Sequence, residues 1–375
     1  MRWEHRGTQP ATLRLLSNVI GVLGIALGGI AFAGVRHPYV AGMPLVLLLI
    51  PLLAVAVLVH ESGHLIAAAS AGLRVLGVSL GPLHIERRRH GVRLHWRARR
   101  RGVAGMAFAV PDFSKDVRRQ MLAYVAGGPL ANLLVAAPCL LAAWPISGHA
   151  FTAPQAAIFA FGLLNATMGL ANLVPYRHTH FSDGLLLKRW WRGGEAVASG
   201  LKQLRSFDQS LRGVLASEMP LEQIAEMESD PAIGMRFSGS YLALRAAQQR
   251  GDQHAFAAIM ARCERELAGA DKATYAAMRP FWAYFQIEQS FENALSGDSF
   301  RHDIDPACLR ALLPYFRDRL AAAEALARRD EREFRNALAR SERDAEGAFD
   351  AATRRAEAQL RDRMRQTWGA TGVAS

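Results

Sequence analysis

A histidine pair inside an apolar segment has the spacing of a metal site. Residues 60–64, HESGH, form the pattern HExxH. On an α-helix, residues four apart project from the same face, about 6 Å apart along the axis. His60 and His64 can therefore bind one ion, and Zn²⁺ suits two imidazole nitrogens, a carboxylate and a fourth position for water. Glu61 is placed to take a proton from that water, so the pattern predicts metal-assisted hydrolysis.

The surroundings of this motif favour a functional site over a chance match on a solvated helix. The motif interrupts an apolar run, MPLVLLLIPLLAVAVLV (43–59), which continues after it as LIAAASAGL. Ionisable residues within a membrane span cost free energy unless they pair or bind something. If this helix ends near Gly72, the motif lies about 12–18 Å from that end at 1.5 Å per residue. Water must then reach the motif from the cytoplasmic side.

Two imidazoles need a third ligand, and the carboxylate that fits is Asp183. It follows a later apolar segment in NLVPYRHTHFSDG (172–184), where Pro175 ends a helix and Gly184 permits a tight backbone beside the ligand. The same segment contains His178 and His180, which are the alternative third ligands. Asp183 could also be an ordinary turn residue at the membrane edge. We expect Asp183 to be the ligand.

The composition divides the chain into two unlike halves. Its 375 residues are 51% hydrophobic and carry a net charge of +12. A helix that crosses a bilayer core needs about 20 apolar residues. Apolar segments of that kind are residues 15–35, the uncharged run 43–59 that continues through the motif, and spans near 121–144 and 154–175 on either side of PISGHAFTAP. The first could be a signal peptide, but it exceeds the usual apolar length of about 7–15 residues. We expect a polytopic core of about four spans.

Basic residues indicate the orientation of these spans. Arg2, Arg6 and Arg14 precede the first span, the 73–119 loop is rich in arginine, and the opposite loops contain only Arg36. Lys and Arg concentrate in cytoplasmic loops. We therefore expect a multi-pass protein of the cell (inner) membrane whose two termini and 73–119 loop lie in the cytoplasm. The same bias explains the pI of about 10.3, and we expect no nucleic-acid partner.

The 73–119 loop contains a predicted β-hairpin. In VRLHWRAR (92–99) apolar and basic residues alternate, LHIERRR precedes it, and His90-Gly91 stands at the turn. One interpretation is that an edge of this hairpin pairs with an extended stretch of substrate. The other is that the basic hairpin lies on anionic lipid headgroups. The sequence does not separate the two.

Beyond about residue 194 no uncharged run could cross a bilayer, and short helical patterns meet at turns. This predicts a cytoplasmic α-helical domain. Residues 314–368 are interpreted as one long charged helix with few large apolar side chains. Such a helix is either solvated and packed on its own domain, or it binds a protein partner or a second copy of the chain.

Three motifs on consecutive spans jointly resemble the site-2 protease family of intramembrane metalloproteases, over roughly residues 43–190. They are HExxH, GGPLAN (127–132), and the NxxP followed by DG after the fourth span. The resemblance implies that His60, His64 and Asp183 bind zinc, one ion per chain, and that Glu61 is the catalytic base. It also places Asn132 near the metal, where it would position substrate or the developing oxyanion. Alternatively, Asn132 forms an interhelical hydrogen bond.

The chain departs from the family at one position. Relatives often have four residues between the Pro and the Asp, whereas seven, residues 176–182, intervene here. The resemblance otherwise implies a mainly α protein that hydrolyses a peptide bond in or near the transmembrane segment of another membrane protein, typically a single-pass regulator. The predicted domains are residues 1–42 (tail and first span), 43–193 (protease core) and 194–375 (helical domain).

Two other functions compete with this one. The first is a catalytically idle membrane scaffold that recruits a partner through its helical domain. The intact Glu61 argues against it, because loss of the base would mark such a protein. The second is an unrelated membrane zincin whose third ligand is a Glu on a later helix. Asp183-Gly184 and the preceding Asn172 weaken that alternative.

Overall fold

The computed structural model describes residues 11–35, 46–88, 91–96, 104–143, 151–177, 181–297 and 304–372. It is mainly helical with one small antiparallel sheet, which confirms the predicted fold class of membrane helices, a β-hairpin loop and C-terminal helices. The chain forms two compact units, residues 6–198 and residues 199–375. The domain boundaries near residues 42 and 193 stay predictions.

The first unit combines membrane helices with the sheet. Its elements are α1 (Ala11–Ala33), a 3₁₀ turn (Val46–Leu48), α2 (Leu49–Ala71), β1 (Arg74–Leu80), β2 (Leu83–Arg88), β3 (Gly91–Trp96), β4 (Gly105–Val110), α3 (Val117–Ala143), α4 (Ala153–Leu173) and α5 (Asp183–Arg192). Four described stretches are long and apolar enough to cross a membrane: Thr12–Ala33, Val46–Ala71, Val117–Ala143 and Ala153–Leu173. The predicted number of spans is therefore confirmed by length and composition.

The surfaces of these helices match their predicted surroundings. Large apolar side chains such as Ile50, Leu134 and Leu141 are 69%, 74% and 78% exposed on the protein, as expected for lipid-facing positions. Helix α2 ends at Ala71 because Gly72 adopts a left-handed conformation with φ of 85°, which suits glycine. The helix thus ends near Gly72, as the sequence predicts.

Small residues bring α2 and α3 into close contact. A Cβ atom on Gly63 would clash with the carbonyl oxygen of Gly127 and lie 2.5 Å from the Cβ of Ala131. Close backbone approach through small residues is the usual way in which membrane helices associate. The glycines of HESGH and GGPLAN therefore hold these two helices together beside the candidate site.

The sheet has the order β3-β2-β1-β4, with every neighbour antiparallel. Strands β2 and β3 form the predicted hairpin, in which Leu83 pairs with Trp96 and Ile85 with Leu94. Residues 89–90 and 97–103 lie outside the described residues, so His90 and the end of the predicted second strand are not assigned. Strands β1 and β4 were not predicted. Tyr124 of α3 donates a hydrogen bond to the carbonyl oxygen of Ala107 at 2.8 Å, which ties β4 to the membrane helices.

The described residues from 195 onward are mainly helical. They are α6 (Glu195–Leu211), α7 (Leu221–Glu228), α8 (Ile233–Arg250), α9 (Gln253–Ala268), α10 (Lys272–Ser296), α11 (Pro306–Ala311), α12 (Pro314–Arg328), α13 (Glu331–Glu346) and α14 (Ala351–Gly372), with a 3₁₀ turn at Ala216–Glu218. The interpretation of residues 314–368 as one helix was wrong, because three helices cover that segment. Arg329, in the left-handed region with φ of 55°, ends α12, and Gly347 ends α13.

Candidate metal centre

The three predicted metal ligands converge on one point. The Nε2 atoms of His60 and His64 lie 3.2 Å apart. Oδ2 of Asp183 lies 3.0 Å from the first and 3.6 Å from the second. Ligand atoms that bind zinc tetrahedrally at about 2.0–2.1 Å are separated by roughly 3.3 Å. The three separations match that value, so the residues present fit one metal ion.

The hydrogen bond at the other nitrogen of His64 leaves Nε2 free to bind a metal. Nδ1 of His64 lies 2.8 Å from the carbonyl oxygen of Tyr124 and 3.3 Å from the amide nitrogen of Gly128. A carbonyl oxygen can only accept, so the shorter contact assigns the proton to Nδ1. The lone pair then stays on Nε2. A metal-binding histidine usually donates its second nitrogen to a backbone or carboxylate oxygen in this way.

Asn132 supports the other imidazole. Its side chain is fully buried, and its Oδ1 lies 2.6 Å from Nδ1 of His60. Its Nδ2 donates to the carbonyl oxygen of Ala56 at 3.1 Å and to Oδ1 of Asn165 at 2.7 Å. The interhelical hydrogen bonds that the sequence left as an alternative are thus present. A role in positioning substrate or the oxyanion stays a prediction.

Glycine residues leave room for the functional side chains. A Cβ on Gly128 would clash with Nε2 of His64, and one on Gly105 of β4 would lie 2.5 Å from Oε1 of Glu61. Glu61 itself is only 6% exposed. The backbone of α3 therefore passes directly against the second histidine, and β4 passes directly against the predicted base.

Asp183 is positioned by a closed turn. Ser182 caps α5 by accepting from the amide of Leu185, and its hydroxyl donates to the carbonyl oxygen of Val174 at 2.6 Å. The amide of Tyr176 in turn donates to that hydroxyl at 3.0 Å. The two ends of the segment between Pro175 and Asp183 thus lie close together. Its additional residues do not displace the aspartate from the two histidines.

A second glycine and an isolated β-bridge complete this turn. A Cβ on Gly184 would clash with the carbonyl oxygen of Leu173, so the Asp-Gly pair allows α5 to start against the end of α4. Arg177 and Phe181 form an antiparallel bridge within the turn. His178 and His180, the alternative third ligands, lie outside the described residues.

The sheet order bears on how the predicted hairpin could meet a substrate. Strand β4 contacts Glu61, whereas β3 lies at the opposite edge, three strand positions away. At about 4.8 Å per position, the β3 edge is roughly 14 Å from β4. Val92, Leu94 and Trp96 of β3 are 70%, 63% and 75% exposed. Substrate pairing and lipid contact at this hairpin both stay predictions.

Some residues of the site were not predicted. Asn165 on α4, Tyr124 on α3 and Gly105 on β4 all contact the predicted site residues or their partners. An amide in an otherwise apolar span is the only signal that the sequence offers for Asn165. No sequence motif identifies the other two residues.

Comparison with known proteins supports this arrangement. Residues 48–157, which include α2, the sheet and α3, match the model of Peptidase family M50. No curated protein and no solved structure matches the chain. The resemblance to the site-2 protease family is therefore confirmed over these residues, and it indicates a membrane-embedded metallopeptidase. Asp183 lies beyond the matched segment.

Proposed function

We propose that this protein is a zinc-dependent intramembrane endopeptidase that hydrolyses a peptide bond in or near the transmembrane segment of another membrane protein. The observation that carries the proposal is the convergence of three ligand atoms, from His60, His64 and Asp183, within 4.8 Å of one another beside Glu61. The match of residues 48–157 to Peptidase family M50 supports the same reaction class. A regulated signalling role for the cleavage is part of the proposal.

The proposed roles follow from the atoms available. The two Nε2 atoms and Oδ2 of Asp183 are the ligand atoms. A zinc ion bound there would act as a Lewis acid and lower the pKa of its bound water toward about 7. Glu61 takes the proton from the attacking water and passes it to the leaving amine. Burial of Glu61 against β4 keeps this carboxylate in one place for both transfers.

The surroundings of the site support a membrane substrate. Both histidines lie within an apolar helix that is long enough to span a bilayer, and Asp183 follows another such helix. The arginines and lysine that flank α2 and α3 support an orientation with the 73–119 loop in the cytoplasm. In that orientation the site opens toward the cytoplasmic side of an inner membrane. A membrane-spanning protein cut there would release its cytoplasmic part.

The experiment that tests the proposal replaces only the base. Source cells express either the wild type or Glu61→Gln, and membrane-protein fragments are quantified by mass spectrometry. Glu222→Gln, an exposed residue of α7, is the matched control for the loss of one carboxylate. Since general acid–base catalysis contributes about 10²–10⁴-fold, we expect cleavage of one membrane protein to fall by that factor in Glu61→Gln alone.

The zinc content of the purified proteins separates the possible explanations. We expect one zinc ion per chain in the wild type and in Glu61→Gln, because the substitution leaves all three ligands in place. Unchanged fragments in Glu61→Gln would contradict the protease and favour the idle scaffold. Absence of zinc from the wild type would contradict the metal centre itself.

A further inference from the structure

Two buried amides connect the candidate metal centre to a third membrane helix. Asn132 of α3 and Asn165 of α4 both have no exposed surface. Nδ2 of Asn132 donates to Oδ1 of Asn165 at 2.7 Å, and Nδ2 of Asn165 donates to the carbonyl oxygen of Phe161 at 2.9 Å. A continuous hydrogen-bonded chain therefore runs from the backbone of α4 to His60 on α2.

Two backbone carbonyls determine which way each amide points. The oxygens of Phe161 and Ala56 can only accept, so they must face the NH₂ groups of Asn165 and Asn132 respectively. Oδ1 of Asn165 is then turned toward Asn132, and Oδ1 of Asn132 toward His60. No other orientation of the two amides satisfies all four contacts.

This orientation determines the tautomer of His60. Because the oxygen of Asn132 faces Nδ1 of His60 at 2.6 Å, that nitrogen must carry the proton. The lone pair is left on Nε2, the atom that faces Asp183. The opposite tautomer would place a proton on Nε2, and a protonated nitrogen cannot bind a metal.

Asn165 supplies the acceptor that holds Asn132 in this orientation. The NH₂ group of Asn132 has two hydrogens, one for Ala56 and one for Asn165. Without Asn165, the second N–H of the fully buried Asn132 would lose its acceptor, which is unfavourable. A rotated amide would present its N–H to Nδ1 of His60 and favour the wrong tautomer.

We propose that Asn165 is a positioning residue of the metal centre, which acts through Asn132 to keep the Nε2 atom of His60 available as a ligand. The inference rests on the proposed function, because it assumes that His60 binds a metal. Asn165 lies on α4, beyond the segment that matches Peptidase family M50, and it makes no direct contact with the three ligands.

A purely structural role is the competing explanation, and the chain offers a matched control for it. The hydroxyl of Ser17, a buried residue of α1, donates to the carbonyl oxygen of Ala171 on α4 at 3.1 Å. Ser17→Ala therefore removes an interhelical hydrogen bond from the same helix without changing the surroundings of His60. A general loosening of α4 against its neighbours would affect Ser17→Ala as well as a substitution of Asn165.

The test measures metal binding by the full-length protein in detergent, with zinc titrated against a competing chelator. Asn165→Leu keeps the size but loses the acceptor, whereas Asn165→Asp keeps an acceptor oxygen for Asn132 and, when protonated, an O–H donor for the carbonyl oxygen of Phe161. Outer partners of metal-binding histidines contribute about 10–100-fold to affinity. We expect Asn165→Leu to bind zinc weaker by that factor, and Asn165→Asp and Ser17→Ala to bind it as the wild type does.

Cobalt provides a second readout, because its visible absorption reports the number and kind of its ligands. We expect the cobalt spectrum of Asn165→Leu to change and that of Ser17→Ala to match the wild type. Asn165→Ala replaces Asn165→Leu if the larger apolar side chain prevents folding.

Each outcome bears on a different claim. Wild-type affinity in Asn165→Leu or Asn165→Ala would overturn the positioning role, as would an equal loss of affinity in Ser17→Ala or in Asn165→Asp. Failure of the wild type to bind either metal would contradict the proposed function, and the role of Asn165 with it. A wild type that binds zinc but does not cleave leaves the metal-site inference standing and contradicts only the protease.

Discussion

Each unit of this protein contains a cluster of buried polar groups, and the two clusters differ in how their charges are balanced. In the helical unit, the fully buried Arg319 donates to the two carboxylate oxygens of Glu288 at 2.7 and 2.8 Å. Arg245 adds a contact to the same carboxylate at 2.9 Å, and Arg319 lies 3.0 Å from Glu357 through Nε. Every carboxylate of this cluster faces a guanidinium group.

The membrane unit has no such balance among its described residues. The only ion-pair partners of Asp183 there are the two imidazoles, and the three facing atoms are all ligand atoms with lone pairs. Such atoms repel one another unless a cation lies between them. A cluster that is neutralised within the chain needs nothing further, whereas a cluster of facing acceptor atoms could hold an external cation. The difference agrees with a structural role for the first cluster and with the proposed metal site for the second.

Removal of the Asp183 carboxylate should have the largest effect on zinc affinity and cleavage, because it takes one ligand atom directly out of the unbalanced cluster. Asp183→Ala deletes the only carboxylate among the three predicted ligands. Since outer partners alone contribute about 10–100-fold, we expect zinc affinity to fall by more than about 100-fold and cleavage to fall to background. Zinc titration and fragment analysis measure the two effects.

The double variant His178→Ala/His180→Ala is the comparison for this prediction. It changes the residues that the sequence offers as alternative ligands and leaves Asp183 in place. We expect it to bind zinc as the wild type does. If it loses zinc while Asp183→Ala retains it, the third ligand is one of these histidines.

The site illustrates which contacts a sequence can predict. The HExxH motif depends on the spacing of one helix, so the positions of His60, Glu61 and His64 followed from periodicity. Asp183 required a comparison of distant segments, and the turn that closes on Ser182 explains why seven intervening residues were tolerated. The contact of Asn165 with Asn132 could not be predicted, because it depends on how α3 and α4 pack, and no local spacing encodes it.

Removal of one partner from the balanced cluster should destabilise the fold and leave zinc binding unchanged. Arg319→Met leaves Glu288 and Glu357 buried without their shared guanidinium, and breaking a buried pair in this way costs about 3–5 kcal/mol. Denaturant unfolding of the helical unit in the full-length protein measures the loss. Zinc affinity is the second readout.

An exposed ion pair provides the control for this variant. Arg335 and Glu331 pair on α13, and their side chains are 76% and 56% exposed. Since exposed pairs contribute about 0–1 kcal/mol, Arg335→Met should hardly change the unfolding free energy. Equal losses in the two variants would mean that burial does not distinguish the two pairs, and zinc loss in Arg319→Met would contradict the independence of the two clusters.

The same helices show why the long charged helix was predicted incorrectly. The pattern from Pro314 to Trp368 is rich in helix formers, and propensity alone favours continuity. Asp330 nevertheless caps a new helix by accepting from the amide of Glu333, and Asp-x-x-Glu is a recognisable start signal. The positive φ of Arg329, by contrast, is unusual for a residue other than glycine. The sequence therefore signals the start of α13 at Asp330, whereas the residue type at 329 does not signal the end of α12.

A change of pH should have the smallest effect on the unfolding free energy. It can sharpen the comparison between the two clusters. Burial alone would raise the pKa of Glu288, but Arg245, Arg319 and the hydrogen bonds lower it to about 2, below the ordinary value of 4.5. A lowered pKa contributes stability above the unfolded-state pKa, and that stability is lost as the pH falls from about 4.5 to about 2. The expected loss is on the order of 3 kcal/mol.

Glu288→Gln isolates this contribution, because any titration at the metal centre is common to both proteins and cancels in the difference. We expect the unfolding free energies of wild type and variant to differ most near neutral pH and to converge as the pH falls through that window. Burial raises the pKa of Glu357 despite its arginine partners, so its own pH dependence has the opposite sign and reduces the slope of the wild type. A difference that stays constant from pH 6 to pH 3 would mean that Glu288 is not ionised in the folded protein, and the helical cluster would then not be balanced by charge.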